Sequence, residues 1–307
     1  MLAFFLKRLL GALPVLFAVS LFVFGFVRLL PGDPARLVAG ADATEQEVAS
    51  AREALGLDRP IWDQYLRYAG ASLRGDFGTS SRTHEPVIEV IGARFLPTLW
   101  LTLAAMGWAT LTGGLLGVWA GVKRGRWQDQ AAMLAAIGGL SFPGFWLGLL
   151  LIDLFSVHLG WLPTGGYDGW RSLIMPSFTL GVGVAAVLAR FTRSAFVDVA
   201  GEDFVRTARS KGLTERRVIW RHAARNALIP VVTLTGLEFG TLLGGAIVVE
   251  TVFAWPGLGR LLVDSIAFRD YPVIQALILL LCAEFVLINL VVDILYGVLN
   301  PAIRLRP

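Results

Sequence analysis

The 307-residue chain is 55% hydrophobic and only 16% charged, with a mean hydropathy of +0.66, values that exclude an ordinary soluble globular domain and predict a membrane protein. Its net charge of +4 fits basic residues gathered on cytoplasmic loops, with membrane lipid as the surroundings, and argues against nucleic acid as a partner. The single cysteine, Cys282, excludes an internal disulfide and a thiolate metal cluster.

In chain order, the first apolar run covers residues 9–27 behind Lys7 and Arg8. It is longer than a signal-peptide core of about 7 to 15 residues and no small-residue cleavage site follows, so a retained helix is expected. Residues 30–96 form a long segment of mixed charge. Within it, Thr44-Glu45-Gln46-Glu47 opens a helical pattern closed by Gly56, and residues 60–68 read as a second short helix. Apolar runs then recur at 98–122, 131–157, 173–189, 229–249 and 273–298, each near the ~20 residues that span a bilayer. They are too long for barrel strands, and backbone groups in hydrocarbon must be bonded within the chain. The expected fold is an all-α membrane protein with six transmembrane helices. Two parts are expected: residues 1–97, a first spanning helix with a periplasmic segment, and residues 98–307, a five-helix core.

Loop charge sets the orientation. Lys7 and Arg8, Lys123, Arg124 and Arg126, and Arg304 and Arg306 belong inside, and the loop 190–228 carries nine basic residues against four acidic ones. That loop is therefore cytoplasmic, and so are both termini. The long segment 30–96 falls outside, where extended translocated loops escape the charge rule.

Four acidic residues interrupt the apolar runs: Asp153, Glu238, Glu284 and Asp293. Each costs about 2.5–3.5 kcal/mol at the bilayer centre on insertion scales, so each needs a partner, a cavity or a proton. They read either as a polar lining for a translocation path or as interhelical hydrogen-bonding groups. Glu238 is the leading path candidate because its helix follows the basic loop directly. His84, His158 and His222 have no companions at metal-ligand spacing, and no metal site is expected.

The loop 190–228 reads as two short helices joined at Gly212, a residue able to take the left-handed conformation that ends a helix. The first places Phe204, Val205 and Ala208 on a small apolar face; Thr214 caps the second. The acidic pair Glu202-Asp203, the small pair Thr207-Ala208, Gly212 and the run Asn226-Ala227-Leu228-Ile229-Pro230 resemble the EAA loop of ATP-binding-cassette (ABC) importer permeases. Here Thr207-Ala208 takes the usual Ala-Ala place and Asp203 is the nearest upstream acid. The resemblance covers nearly the whole chain through Leu30-Pro31-Gly32-Asp33-Pro34-Ala35, Gly75-Asp76-Phe77-Gly78, Trp255-Pro256-Gly257-Leu258-Gly259-Arg260, Arg269-Asp270-Tyr271-Pro272 and Asn300-Pro301. These are similar to the dipeptide, oligopeptide, nickel and glutathione permease group, with Trp161-Leu162-Pro163 leaning toward the glutathione branch.

The resemblance implies the type I importer permease fold and import of peptides by alternating access. It implies that Glu202, Asp203, Thr207, Ala208, Gly212 and Asn226 form the contact with an ATP-hydrolysing subunit. Implied partners are a second homologous permease, two ATP-binding subunits and an extracytoplasmic substrate-binding protein. No cofactor is expected on this chain: it contains no G-x-x-x-x-G-K-[ST] phosphate loop, so ATP and Mg belong to the partners and the chain is a transport subunit, not an enzyme. The alternative is an ion-coupled secondary transporter that uses the intramembrane carboxylates as ion sites. An intramembrane enzyme would need a nucleophile and base, and Ser141 with His158 is too weak a pair for that.

Overall fold

The computed structural model describes residues 2–29, 34–40, 43–54 and 56–299. The motif residues Leu30 to Asp33, Asn300 and Pro301, and the basic residues Arg304 and Arg306, lie outside the described residues. So do the side chains of Lys7, Arg8 and Asp293. In order, the helices are α1 (Leu2–Leu29), α2 (Pro34–Ala39), α3 (Glu45–Ala54), α4 (Ile61–Leu73), α5 (Val87–Val122), α6 (Trp127–Ser141) and α7 (Gly144–Leu151). A π-helical turn (Ile152–His158) extends α7. Next come α8 (Trp170–Ala200), α9 (Asp203–Ser210), α10 (Glu215–Arg217) running through a π-helical stretch (Val218–Ala224) into α11 (Arg225–Val252), then α12 (Leu258–Phe268) and α13 (Tyr271–Leu299).

The six expected apolar runs are helical, except at Phe142 and Pro143 within 131–157. Four helices among the described residues are long and apolar enough to cross a membrane: Val87–Val122, Trp170–Ala200, Glu215–Val252 and Tyr271–Val292. A fifth crossing exists if α6 and α7 are one span, and Leu10–Phe26 is a shorter apolar helix. The run 131–157, expected as a single helix, is bent by 98° between α6 and α7. Pro143 explains the break: its ring forces the preceding residue away from helical geometry, and Phe142 is extended at φ −85, ψ 125.

The chain forms two compact units, one of residues 1–96 and 257–287, the other of residues 97–256 and 288–307. In the first, Phe24 of α1 meets Tyr65 edge-on at 5.3 Å, and Arg28 donates to Gln64 Oε1 at 2.6 Å. A capping box starts α3: Thr44 N donates to Glu47 Oε2 at 2.7 Å and Glu47 N to Thr44 Oγ1 at 3.3 Å. The Thr44 backbone N–H most, and then the Thr44 hydroxyl donating to Oε2 at 2.9 Å, hold the Glu47 carboxyl below the usual carboxylate value. Burial pushes the Tyr68 phenol up. The buried Asp270 carboxylate accepts from the Ser80 hydroxyl and, at 3.1 Å, from the Ser81 backbone N–H, tying the turn before α5 to the start of α13.

The second unit contains the main core, with Leu101, Ala105, Leu188, Leu242, Phe253 and Trp255 among its buried members. Its helices approach closely because α5 offers glycine every fourth residue. A Cβ at Gly113 would lie 2.6 Å from the Ala185 carbonyl oxygen, one at Gly117 2.5 Å from Thr192 Cβ, and one at Gly121 2.7 Å from the Phe196 ring. Trp255, fully buried, donates its indole N–H to the Pro97 carbonyl at 3.0 Å. The equally buried Glu250 accepts from the Thr98 hydroxyl at 2.6 Å.

Candidate functional site

The basic segment between α8 and α11 is a compact structure anchored on one side and open on the other. Glu202 adopts an extended conformation (φ −69, ψ 151), so its carbonyl is free to accept from Val205 N at 3.1 Å and start α9. In α9 the apolar and polar sides separate sharply. Val205 is fully buried and Ala208 is 5% exposed, both inside a cluster with Val118, Phe196, Val218, Ala223, Ala224 and Ala227. Each fully buried valine of that cluster contributes about 1.5 kcal/mol or more to holding the segment against the helix ends. Asp203, Phe204, Thr207 and Lys211 lie on the outward side and are exposed.

Sequence periodicity grouped Phe204 with Ala208, but the helix divides them. Val205 and Ala208 are three residues apart and face inward together, which turns Phe204 to solvent at 43% exposure. Ala208 therefore meets this chain's own core. Thr207, its neighbour, is exposed, its hydroxyl donating to the Asp203 carbonyl at 2.9 Å. Asp203 also lies 3.3 Å from Arg206.

Gly212 ends α9 with φ 76, a conformation that costs a side-chain-bearing residue about 1–2 kcal/mol. Its N–H donates to the Arg209 carbonyl at 2.9 Å. Thr214 then caps the next turn through its backbone carbonyl, accepting from Arg217 N and Val218 N at 2.9 and 3.0 Å, without a side-chain cap bond. Across the glycine, Arg209 Nε lies 2.9 Å from Glu215 Oε1 and bridges the two pieces. This clasp was not legible in the sequence, because residues six apart face each other only after the chain turns.

Asn226 lies just after the π-helical stretch, and its amide nitrogen donates to the His222 carbonyl at 2.7 Å, satisfying an acceptor where the wider turn returns to α-helix. Thr214, Arg216, Arg217, Trp220 and Arg221 line an open basic pocket of about 480 Å³.

Two of the acidic residues of the spans, Asp153 and Glu238, are engaged locally. Asp153 sits on the π-helical turn after α7, exposed and 3.5 Å from His158. Glu238 is half-buried on α11 and accepts from the Thr241 hydroxyl at 3.3 Å. Glu284 on α13 is half-buried, and its Oε2 has no hydrogen-bond partner among the described residues. In the same unit as Asp153 and Glu238, a cavity of about 350 Å³ opens at the α6–α7 break, with Phe142, Phe145 and Thr179 in its wall.

Two acids that sequence reading passed over are the most deeply buried among the described residues of the second unit, Glu250 and Asp129. Asp129 Oδ1 and Oδ2 accept from Arg193 Nε and Nη2 at 2.5 and 2.7 Å, and Oδ2 also accepts from Gly125 N at 3.0 Å. Asp129 follows a basic turn and reads there as a loop charge, so only the fold pairs it with Arg193.

Residues 113–305 match the family described as binding-protein-dependent transport system inner membrane component, and residues 1–102 match its N-terminal counterpart. The glutathione transport system permease protein GsiC of Salmonella paratyphi A is 60% identical over 306 residues, covering 100% of both chains, and GsiC of Escherichia coli K12 is 58% identical over the same length. Among solved structures, the inward-facing MetNI methionine ABC transporter is similar with a TM-score of 0.58 at 20% identity, covering 69% of this chain and 96% of that one. An amino acid ABC transporter gives a TM-score of 0.53 at 16% identity, covering 68% and 93%.

Proposed function

Because the chain belongs to the family of binding-protein-dependent transport system inner membrane components, we propose that it carries peptides into the cytoplasm, glutathione foremost. It is a permease subunit of an ABC importer with the type I permease fold, a multi-pass protein of the inner membrane and a transport component, with ATPase activity in partner subunits. It works in a complex with other permease, ATPase and binding-protein subunits. The choice of glutathione is supported by identity of 58–60% across the full length to permeases of that substrate.

One observation carries the proposal for the ATPase contact: α9 is fastened from behind by Val205 and Ala208 and presents Asp203, Phe204, Thr207 and Lys211 outward. A short helix held this way transmits a push because it cannot slide on its support. In our reading two ATP-binding subunits, one under each of two homologous permeases, close on ATP binding and drive these helices. Glu202 and Gly212 set the ends of α9, and Asn226 holds the join to α11. The inward-facing Ala208 serves the contact indirectly, by letting α9 lie close to the core. Both termini and the 190–228 segment face the cytoplasm, and the 30–96 segment receives the binding protein outside. Residues 1–97 and 98–307 are the periplasmic-docking and core parts of the subunit. Glu238 with Asp153, and Glu284 with Asp293, supply polarity along the path.

The test is reconstitution of the whole complex in proteoliposomes, with uptake of labelled glutathione and of dipeptides measured with and without ATP. Nucleotide-dependent glutathione uptake is expected, and Thr207→Trp, a bulky group on the outward face of α9, is expected to abolish it while leaving the permease in the membrane. Uptake that needs an ion gradient and ignores nucleotide would overturn the reading in favour of a secondary transporter.

A further inference from the structure

We infer that the Asp129–Arg193 ion pair is a strut that carries motion of the cytoplasmic segment from α8 into α6, and from there to the cavity at the α6–α7 break. The inference rests on the importer reading and concerns how this chain converts a push at α9 into an opening.

The cluster that anchors α9 includes Val118 of α5 and Phe196 of α8, with Val199 and Ala200 packed against it. Force on α9 therefore reaches the cytoplasmic ends of α5 and α8. These two helices are locked in register by Gly117 and Gly121, whose missing Cβ atoms make room for Thr192 and Phe196. A polar link from α8 to α6 near that end is Arg193, one turn before Phe196, gripping Asp129 in the first turn of α6.

The grip is bidentate, so it fixes orientation as well as distance. Asp129 is 3% exposed, while its second oxygen also accepts from Gly125 N, where the backbone takes φ 76. The carboxylate thus joins three parts: the α5–α6 turn, α6 and α8. Asp198, Glu202, Asp203 and Glu215 are the other acids of the cytoplasmic segment, and all four are exposed. At its far end α6 stops at Phe142, which with Phe145 and Thr179 lines the cavity of about 350 Å³. A displacement entering at Asp129 leaves α6 beside that cavity, at a break already bent by 98°.

A pair that only stabilises the fold and a pair that transmits motion differ in one measurable quantity, the ATP hydrolysed per cargo imported. Asp129→Asn, Arg193→Lys and the exchange Asp129→Arg with Arg193→Asp are compared with wild type in proteoliposomes holding the full complex. Arg193→Lys keeps the charge and loses the planar fork. In the single variants that co-purify with their partners at wild-type proportion, ATP hydrolysis is expected to persist. The ATP spent per cargo is expected to rise at least about fivefold, the low end of ordinary coupling between sites. The exchange is expected to recover part of that loss.

An unchanged ratio in any assembled single variant overturns the inference, and so does failure of every variant to assemble, which makes the pair structural alone. A wild-type complex without nucleotide-dependent uptake would instead refute the importer reading.

Discussion

Gly117 and Gly114 are three residues apart on α5, and the space around them is opposite. A methyl group at Gly117 would meet Thr192 Cβ at 2.5 Å and the Ala189 carbonyl oxygen at 2.6 Å, whereas Gly114 has nothing within 4 Å. Gly117→Ala is expected to destabilise by about 1–3 kcal/mol through overpacking. Gly114→Ala is expected to be neutral or to stabilise by about 0.5–1 kcal/mol, the helix-interior cost of glycine. Thermal unfolding of the purified chain separates the two; equal shifts would mean that α5 and α8 are not in close approach there. Ala208 gives the complementary lesson. A small residue signals that something comes near, and residue type alone does not say what. Sequence resemblance directed that approach to a partner subunit, while the structure fills the space over Ala208 with this chain's own cluster around Phe196 and Val218. The outward positions Asp203 and Thr207 were legible as part of the motif. Arg193 and Asp129 were not, because 64 residues separate them and neither belongs to a local pattern.

At the scale of elements, α3 offers the most local test. Its capping box is made of two residues three apart, Thr44 and Glu47, and was readable from spacing alone. Thr44→Ala is expected to cost about 1 kcal/mol of helix stability, seen as faster amide exchange across Glu45–Ala54. The Glu47 carboxyl has a folded-state value below its ordinary one. Its contribution is therefore fully present above the unfolded-state value and is lost as pH falls through the folded-state value. Acidification through that window is expected to speed α3 exchange, corrected for intrinsic rate, in wild type, and to do so less in Thr44→Ala, which keeps the backbone N–H but loses the hydroxyl that also donates to Glu47. A wild-type helix indifferent to that pH change would show that the box adds nothing. The apolar runs were visible because composition over ~20 residues is a strong signal. The 98° break in 131–157 was less so: a proline is compatible with a kinked span or a complete stop, and the extended backbone at Phe142 decided it. The π-helical stretches were invisible, since they shift hydrophobic phase within a single turn.

For the whole molecule, the sidedness argued from loop charge has a direct measurement. In a Cys282→Ser background, Arg74→Cys in the 30–96 segment is expected to react with a membrane-impermeant maleimide added outside intact cells. Arg206→Cys on α9 is expected to react only after the membrane is opened. Both positions are exposed, so reversed labelling would invert the proposed topology and with it the direction from which an ATPase could reach α9. The same α9 is joined to α11 through Val218–Ala224, whose wider turns accommodate more residues than an α-helix of equal length. Removing one residue from that stretch would tighten its wide turns toward an α-helix and shift α10, with the Val218 contact beneath α9, relative to α11. Deleting Ile219 leaves every other side chain named here in the protein and still moves the support beneath the Asp203 and Thr207 row. The spacing of this segment is thus a form of specificity in its own right, one to which substitutions are blind and which a one-residue change in length would erase.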